Sequence, residues 1–476
     1  MRKGTDYEIS PYLYYRSEEV VNVNKRHAVL LSGLMICLVL LTVLGSVSTA
    51  APSSTSLQPF LSAKIDWKQF KGTTLNVLAL PHAYTLALEK YVPIFEELTG
   101  IKVNYEMLGE QEMRQKLMQD LASGSGLYDV VPVGVIHMEQ LTRPGWLAPL
   151  DPFIEDTRIT DNSWYRLEDI GEGLRDMLTL RGKLYAIPVG PSTPIFWYRE
   201  DLFKKYGISV PDTWEEIIPM KQKLQAALDA DGQKGVYAFT TRAKRGAGEN
   251  DWITTAMIQG YGAQWLDENF EPAFNRPEAV KAIELYKQLI TGYGCPPGSE
   301  SLSFYEFVEM FAAGHLASMV TGVDHVVFIN DPTRSKVADK WNASYIPRGP
   351  KGRFTSPWAW ALAMSAKARN PKAAWLFMEW ASSEPIMKMM GTSISPSRLA
   401  LWESEPFKAL GRPNYIKAAV WSYKEGKIER FRGGLPNYQE ASERLSVALS
   451  EIFMGAPAQE TLDKAAADLK KIIRKP

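Results

Sequence analysis

The sequence predicts an α/β fold carried by more than one domain. Three observations support this. The chain has 476 residues, more than a single hydrophobic core normally serves. Its composition, 45% hydrophobic and 23% charged, is that of a folded globular protein. From about residue 70 onward the apolar pattern alternates between period 2 and period 3.6 in the order βαβαβ, which calls for a parallel sheet covered by helices on both faces.

The elements follow in order. Thr74–Leu80 (TLNVLAL) is an apolar strand. Ala83–Gly100 places Leu88, Tyr91, Phe95 and Leu98 at helical spacing, and Gly100 stops the helix. Ile101–Met107 alternates Ile101, Val103, Tyr105 and Met107 to one side, as a strand does. Glu110–Ala122 is a helix through Met113, Leu117 and Leu121, ended by Gly124, and YDVVPV is the third strand. Solutes of such sheets sit beyond the carboxyl ends of the strands.

The segment YAIPVGPSTPIFWYRED, Tyr185–Asp201, interrupts this rhythm with Pro188, Pro191 and Pro194. Each removes a ladder donor, so a central strand is disfavoured. Tyr185–Pro188 is expected to be a hinge, followed by a strand from Ile195. Further on, Gly207 ends a helix, and Asp212 or Thr213 caps a helix that includes Trp214. Strands and helices continue through GVYAFTT, RPEAVKAIELYKQLI and FVEMFAAGHLASMVTG. Asn370 caps a helix with Pro371 at its first position, and the chain closes with an amphipathic helix through Leu462, Ala466, Leu469 and Ile473.

Ahead of all this, Lys25 and Arg26 precede an apolar run ending in Ser48-Thr49-Ala50. That pattern reads as an export signal cut before Ala51, with an uncleaved membrane anchor as the alternative. Cys37 lies inside the run without a lipobox, so Cys295 alone would remain after cleavage, and one cysteine forms neither an internal disulfide nor a thiolate cluster. A formal net charge of zero argues against a nucleic-acid partner.

Catalytic patterns are scarce. The five histidines, at 27, 82, 137, 315 and 325, show no metal-ligand spacing. Gly182-Lys183 and Gly426-Lys427 lack the upstream glycine of a phosphate loop, and no nucleophile elbow surrounds Ser123, Ser125 or Ser192. Aromatics are the positive signal: 14 Trp, 21 Tyr and 18 Phe, some in loops rather than at helical spacing. Trp375 and Trp380 read as core, whereas Trp252, Trp358 and Trp360 suit either a core or the apolar face of a sugar.

The order of motifs resembles the family 1 extracellular solute-binding proteins of bacterial ABC importers, the maltose-binding-protein-like group. The resemblance rests on FEELTGIKVNYE, LASGSGLYDVVPV, GWLAPLDPFIED, GKLYAIPVGPSTPIFWYREDLFKKYGISVPDTWEEI, FAAGHLASMVTG, IPRGPKGRFTSPWAWALAMSAKARNPKAAWLFMEWAS and ISPSR. It implies two Rossmann-like α/β lobes joined by a hinge, the periplasmic binding protein type II architecture. It further implies a signal or anchor at 1–50 and a flexible tether at 51–65. Lobe 1 would span 66–185 and 341–380, and lobe 2 would span 186–330 and 381–476. The hinges would lie near 185–188, 325–341 and 380–386.

The resemblance also implies an exported receptor, periplasmic or tethered to the outer face of the membrane. It would bind a carbohydrate or polyol between the lobes and deliver it to permease subunits as a monomer. No cofactor, metal or catalysis is implied. Aligned cleft positions are His82, Tyr84, Gly134, His137, Ser192, Thr193, Asp251, Trp252, Thr321, Asp324, Trp358, Trp360, Arg398, Arg432 and Tyr438. Two features depart from the pattern. Tyr198-Arg199-Glu200 stands where many relatives have Tyr-Asn-Lys, and VPVGVIHME lacks the Trp and acidic residue of maltose binders. The second argues against maltodextrin specifically. The alternatives are a phosphorylated polyol, a polyamine or an oligopeptide as solute, or an exported α/β hydrolase.

Overall fold

The computed structural model describes residues 54–426 and 429–475. The expected signal or anchor at 1–50 lies outside them. Among the described residues no helix is long and apolar enough to cross a membrane.

Two sheets organise the chain. The first contains β1 (Thr74–Ala79), β2 (Lys102–Met107), β3 (Val130–Gly134) and β4 (Ala186–Ser192). The second contains β5 (Pro194–Arg199), β6 (Thr240–Thr241), β7 (Ser318–Gly322) and β8 (Trp341–Ser344), and the late strand β9 (Trp358–Met364) returns to the first. The first sheet runs β2-β1-β3-β9-β4 and the second β8-β5-β7-β6. In the first sheet β1 pairs parallel with β2 (Thr74↔Lys102) and with β3 (Val77↔Val130). There β9 lies antiparallel between β3 and β4, Leu362 facing Pro132 on one side and Ile187 on the other. The βαβαβ order read from periodicity is therefore present. Gly100 and Gly124 end their helices at φ of 72° and 66°, a left-handed conformation that costs a residue without Cβ little.

Several expectations are corrected. The predicted hinge at 185–188 is strand: Ala186–Ser192 pairs with β9, and the register shifts between Trp360 and Ala361. Pro188 and Pro191 fit there because β4 is the edge of its sheet, where missing donors cost no ladder bond. The chain changes sheet at Thr193, between β4 and β5. The strand Trp341–Ser344, assigned to the first lobe from 341 onward, pairs antiparallel with β5 of the second sheet. The return to the first sheet thus falls between Ser344 and Trp358.

The tether expected at 51–65 contains a helix, Ser54–Leu61. Phe60 within it is fully buried, with Trp67, Trp164 and Trp380 rings at 6.4–6.5 Å. Burying one such ring stabilises by about 2 kcal/mol, enough to hold a short helix down. The helix expected to include Trp214 starts at Ile217 instead, because Thr213 and Glu216 close a separate turn by hydrogen-bonding each other's backbone N–H.

Candidate functional site

The carboxyl ends of β1 and β3, the end of β4 and the start of β9 meet the start of β5 and the ends of β6 and β7. That seam between the sheets gathers most of the positions expected from the sequence. At its centre the Ser192 hydroxyl donates to Asp324, joining the strand ends of the two sheets. Thr193 and Thr355 share a hydrogen bond of 2.6 Å beside it. A Cβ at Gly322 would fall 2.4 Å from Ser192 Oγ, so a side chain there would displace this contact.

His82 caps the helix Ala83–Glu89, its Nδ1 accepting from the Tyr84 N–H at 3.3 Å. Its ring also lies against β4, since a Cβ on Gly190 would be 2.5 Å from His82 Cε1. Burial lowers the His82 pKa, against the upward pull of the Asp324 and Glu110 charges, so the imidazole is favoured neutral. The capping role and the seam position coexist.

One wall of the seam comes from the helix Asn250–Gly260. The Trp252 indole N–H donates to the Ser356 carbonyl at 2.6 Å, and the Ser356 hydroxyl donates back to the Trp252 carbonyl at 2.6 Å. Asp251 is wholly buried, and its Oδ2 accepts from Tyr438 at 2.8 Å and from Ser442 at 2.9 Å. Its Oδ1 has no partner. Burial raises the Asp251 pKa, and the nearby Arg432 charge opposes the rise.

Arg432 is also buried, with its guanidinium carbon 5.9 Å from the Trp358 ring and its Nε and Nη1 unpartnered. Trp358 packs over Gly134, where a Cβ would come within 3.0 Å of the indole, and it meets Trp360 edge-on at 5.8 Å. A side chain at position 134 would therefore push the indole out of the seam.

Beside Trp360 opens a pocket of about 390 Å³ lined in part by Gly134, His137, Trp360, Arg114 and Gln439. His137 Nε2 meets Arg114 Nη1 and lies 3.2 Å from Gln439 Nε2. Burial, with Arg114 adding to it, depresses the His137 pKa to about 3. The ring is then neutral, with Nε2 accepting from both donors.

Two expected positions lie elsewhere. The Tyr84 hydroxyl donates to the Ala381 carbonyl at 2.5 Å. Arg398 donates to the Ser382 carbonyl at 2.6 Å and the Arg166 carbonyl at 3.0 Å, with its guanidinium over Tyr165. Both side chains pin the chain at Ala381–Ser382 through backbone carbonyls. Thr321 is fully buried at the end of β7, its hydroxyl 3.0 Å from His325 Nδ1, which orients that ring and leaves the hydroxyl internal.

Residues that the sequence reading missed complete the seam. Arg242, just past β6, lies between the rings of Trp252 and Phe304, 4.5 Å from each centroid. Glu249 approaches it at 3.7 Å. The usable signal was position: Arg242 follows the strand-like stretch GVYAFTT, at the end where α/β sheets place their ligands.

Comparison with known proteins gives this geometry its context. The profile of the family described as bacterial extracellular solute-binding protein matches residues 82–388. A mannitol-binding protein from Pseudomonas aeruginosa is 30% identical over 71% of this chain and 76% of its own. An erythritol/L-threitol-binding protein from Mycolicibacterium smegmatis is 28% identical over 88% of this chain and 89% of its own. An ABC transporter solute-binding protein from Agrobacterium vitis S4, solved with bound D-mannitol, superposes with a TM-score of 0.69 at 28% identity. It covers 84% of this chain and 98% of that one. A maltose-bound protein from T. maritima, with a TM-score of 0.70 at 20% identity over 84% and 100%, shares the fold, which is the periplasmic binding protein type II architecture. The chain belongs to the bacterial extracellular solute-binding protein family.

Proposed function

We propose that this receptor binds a neutral polyol or a small carbohydrate at the seam between its two sheets and hands it to a membrane permease outside the cytoplasm, without breaking a bond. One observation carries the reading. Unpartnered donors (Arg242 Nε, Arg432 Nε and Nη1) and unpartnered acceptors (Glu249 Oε2, Asp251 Oδ1) are buried together beside Trp252 and Trp358. Buried polar atoms normally find partners, so a group of this kind is suited to a solute that supplies them. A hydroxyl both donates and accepts, and a polyhydroxylated solute therefore matches a mixed set. The relatives named for mannitol and for erythritol or threitol, and the solved relatives holding D-mannitol and ribitol, support the same class.

Of the fifteen positions expected from the sequence, His82, Ser192, Asp251, Trp252, Asp324, Trp358, Arg432 and Tyr438 form this proposed site. Gly134, His137 and Trp360 border it. The solute would favour the closed arrangement by bridging groups from both sheets, and only its differential affinity can do so. The chain would act as a monomer without cofactor, exported by its amino-terminal segment.

The test is a thermal-shift screen of the mature chain with mannitol, ribitol, erythritol, mono- and disaccharides, spermidine and sn-glycerol 3-phosphate. A cognate polyol or sugar raises Tm in step with its concentration, by about 2.7 kcal/mol of stabilisation at a hundred times Kd. Stabilisation by spermidine or the phosphate ester alone would overturn the reading, and turnover of a model glycoside would overturn its non-enzymic part.

A further inference from the structure

Arg242 stands out among the buried charged groups because its surroundings fix its plane but leave much of its hydrogen bonding open. Two aromatic faces, Trp252 and Phe304, hold the guanidinium at 4.5 Å each. Nη1 has two long contacts, 3.5 Å to the Gly248 carbonyl and 3.7 Å to Glu249 Oε2, and Nε has no partner. A guanidinium held this way loses little freedom on meeting a ligand, and its planar fork presents N–H groups side by side to two neighbouring oxygens.

The charges around it decide which oxygens fit. Glu249, Asp324 and Arg432 are the side-chain charges that bear on Arg242, and Asp251 faces Arg432. Two guanidiniums therefore face three carboxyl groups, leaving no positive surplus for a phosphate. The unpartnered acceptors Glu249 Oε2 and Asp251 Oδ1 call for donors, which an ionised phosphate lacks. Two adjacent hydroxyls supply both: oxygens that accept from the guanidinium and O–H groups that donate to the carboxylates.

The geometry points to Arg242 as a specificity-determining residue, a rigid fork that reads two adjacent hydroxyls of a neutral solute and does not serve as an anion hook. This inference rests on the polyol reading above and adds the requirement for a vicinal diol.

Isothermal titration of the mature wild-type chain and Arg242→Lys tests it, with D-mannitol, each of its monodeoxy analogues and sn-glycerol 3-phosphate as probes. Lysine keeps the charge and an apolar stem between the rings but loses the fork. The expected result is a loss of about tenfold or more in mannitol affinity, since a charged hydrogen-bonded pair carries that much discrimination. For at least one monodeoxy analogue the loss should be under about threefold, because that analogue already lacks the partner hydroxyl. Equal losses for mannitol and all analogues would mean a structural role and overturn the inference while leaving the polyol reading standing. Wild-type binding of no neutral alditol would overturn both. Arg242-dependent binding of sn-glycerol 3-phosphate tighter than mannitol would overturn the neutral-solute requirement. If Arg242→Lys has no cooperative melting transition, Arg242→Gln replaces it, with the same analogue ratios expected to collapse.

Discussion

Arg398 and Arg432 are both buried arginines close to aromatic rings, yet they sit in opposite situations. Arg398 spends Nε and Nη1 on the carbonyls of Ser382 and Arg166 and has Asp169 at 3.6 Å, with Nη2 alone left open. Arg432 lies over Trp358 with Nε and Nη1 open, near an Asp251 whose Oδ1 is also open. Burial alone does not separate structure from function; what the N–H groups are aimed at does. An arginine whose Nε and Nη1 are taken by carbonyls of two segments clamps them, while one with Nε and Nη1 both open keeps a fork for something that arrives later.

The comparison breaks most visibly at Arg398. Arg398→Met would strand the two carbonyls in the interior and remove one of the two arginines near Asp169. A stability loss of about 3 kcal/mol or more is expected, read by denaturant unfolding. The protein that remains folded should bind solute with unchanged affinity. A stable variant with weakened binding would mean that Arg398 belongs to the site after all.

Arg432→Met should weigh more on binding than on stability. It takes the countercharge from buried Asp251, so Tm without solute should fall, but by less than in Arg398→Met, where two backbone carbonyls are stranded as well. Solute affinity should fall by about ten- to a hundredfold, the worth of charge-assisted hydrogen bonds of about 1.5–3 kcal/mol. Calorimetric titration together with a melting curve reads both halves. A falling Tm with intact affinity would place Arg432 beside Arg398 as a clamp.

Two other buried groups put pH into the same contrast. His137 has a folded pKa near 3 against an ordinary 6.5, chiefly from burial, with Arg114 lowering it further. In that window the unfolded chain binds the extra proton, so its contribution to stability is complete above pH 6.5 and is lost as pH falls. Glu429 is raised by burial from 4.5 to about 7, so there the folded chain holds the extra proton. Its contribution is complete below pH 4.5 and is lost as pH rises through 7. Each has a limiting slope of about 1.4 kcal/mol per pH unit, and the two oppose one another. Unfolding free energies from pH 7 to 4.5 should therefore decline more on acidification in Glu429→Gln than in wild type, and less in His137→Gln. Three parallel curves would rule out both assignments.

How much of this was legible in the sequence follows from the range of the interactions. The βαβαβ start was readable because each element declares itself within about ten residues through its own periodicity. The helix at Ser54–Leu61 was not, since Phe60 is held by Trp164 and Trp380, far along the chain. The prolines of β4 pointed to a hinge because a sequence does not say which strand will be an edge. The strand Trp341–Ser344 was placed with the wrong sheet for a related reason: its partner, β5, lies more than 140 residues earlier. At the proposed site, strand-end positions such as Ser192 and Asp324 were expected from the resemblance. Arg242 was missed because its environment is assembled from Trp252, Phe304 and Glu249, none of which marks it locally.

The smallest effect is expected where the two sheets touch. The Ser192 hydroxyl donates to Asp324 across the seam, and Asp324 is partly exposed, so water replaces the hydroxyl if it is removed. Ser192→Ala should accordingly cost only about 1 kcal/mol, and that cost should fall on the closed arrangement rather than on either sheet's own core. Global unfolding would then hardly change, while apparent solute affinity drops about fivefold, because a less populated closed form must be recovered on binding. Thr193→Val, which removes the neighbouring bond to Thr355, tests the same seam where both partners are buried. It should cost more than Ser192→Ala, since the Thr355 hydroxyl is left without water to turn to. Calorimetric titration of the two variants decides the matter. Equal affinities in Ser192→Ala and wild type, with Thr193→Val weaker only through lost global stability, would mean the seam carries packing and no closing energy.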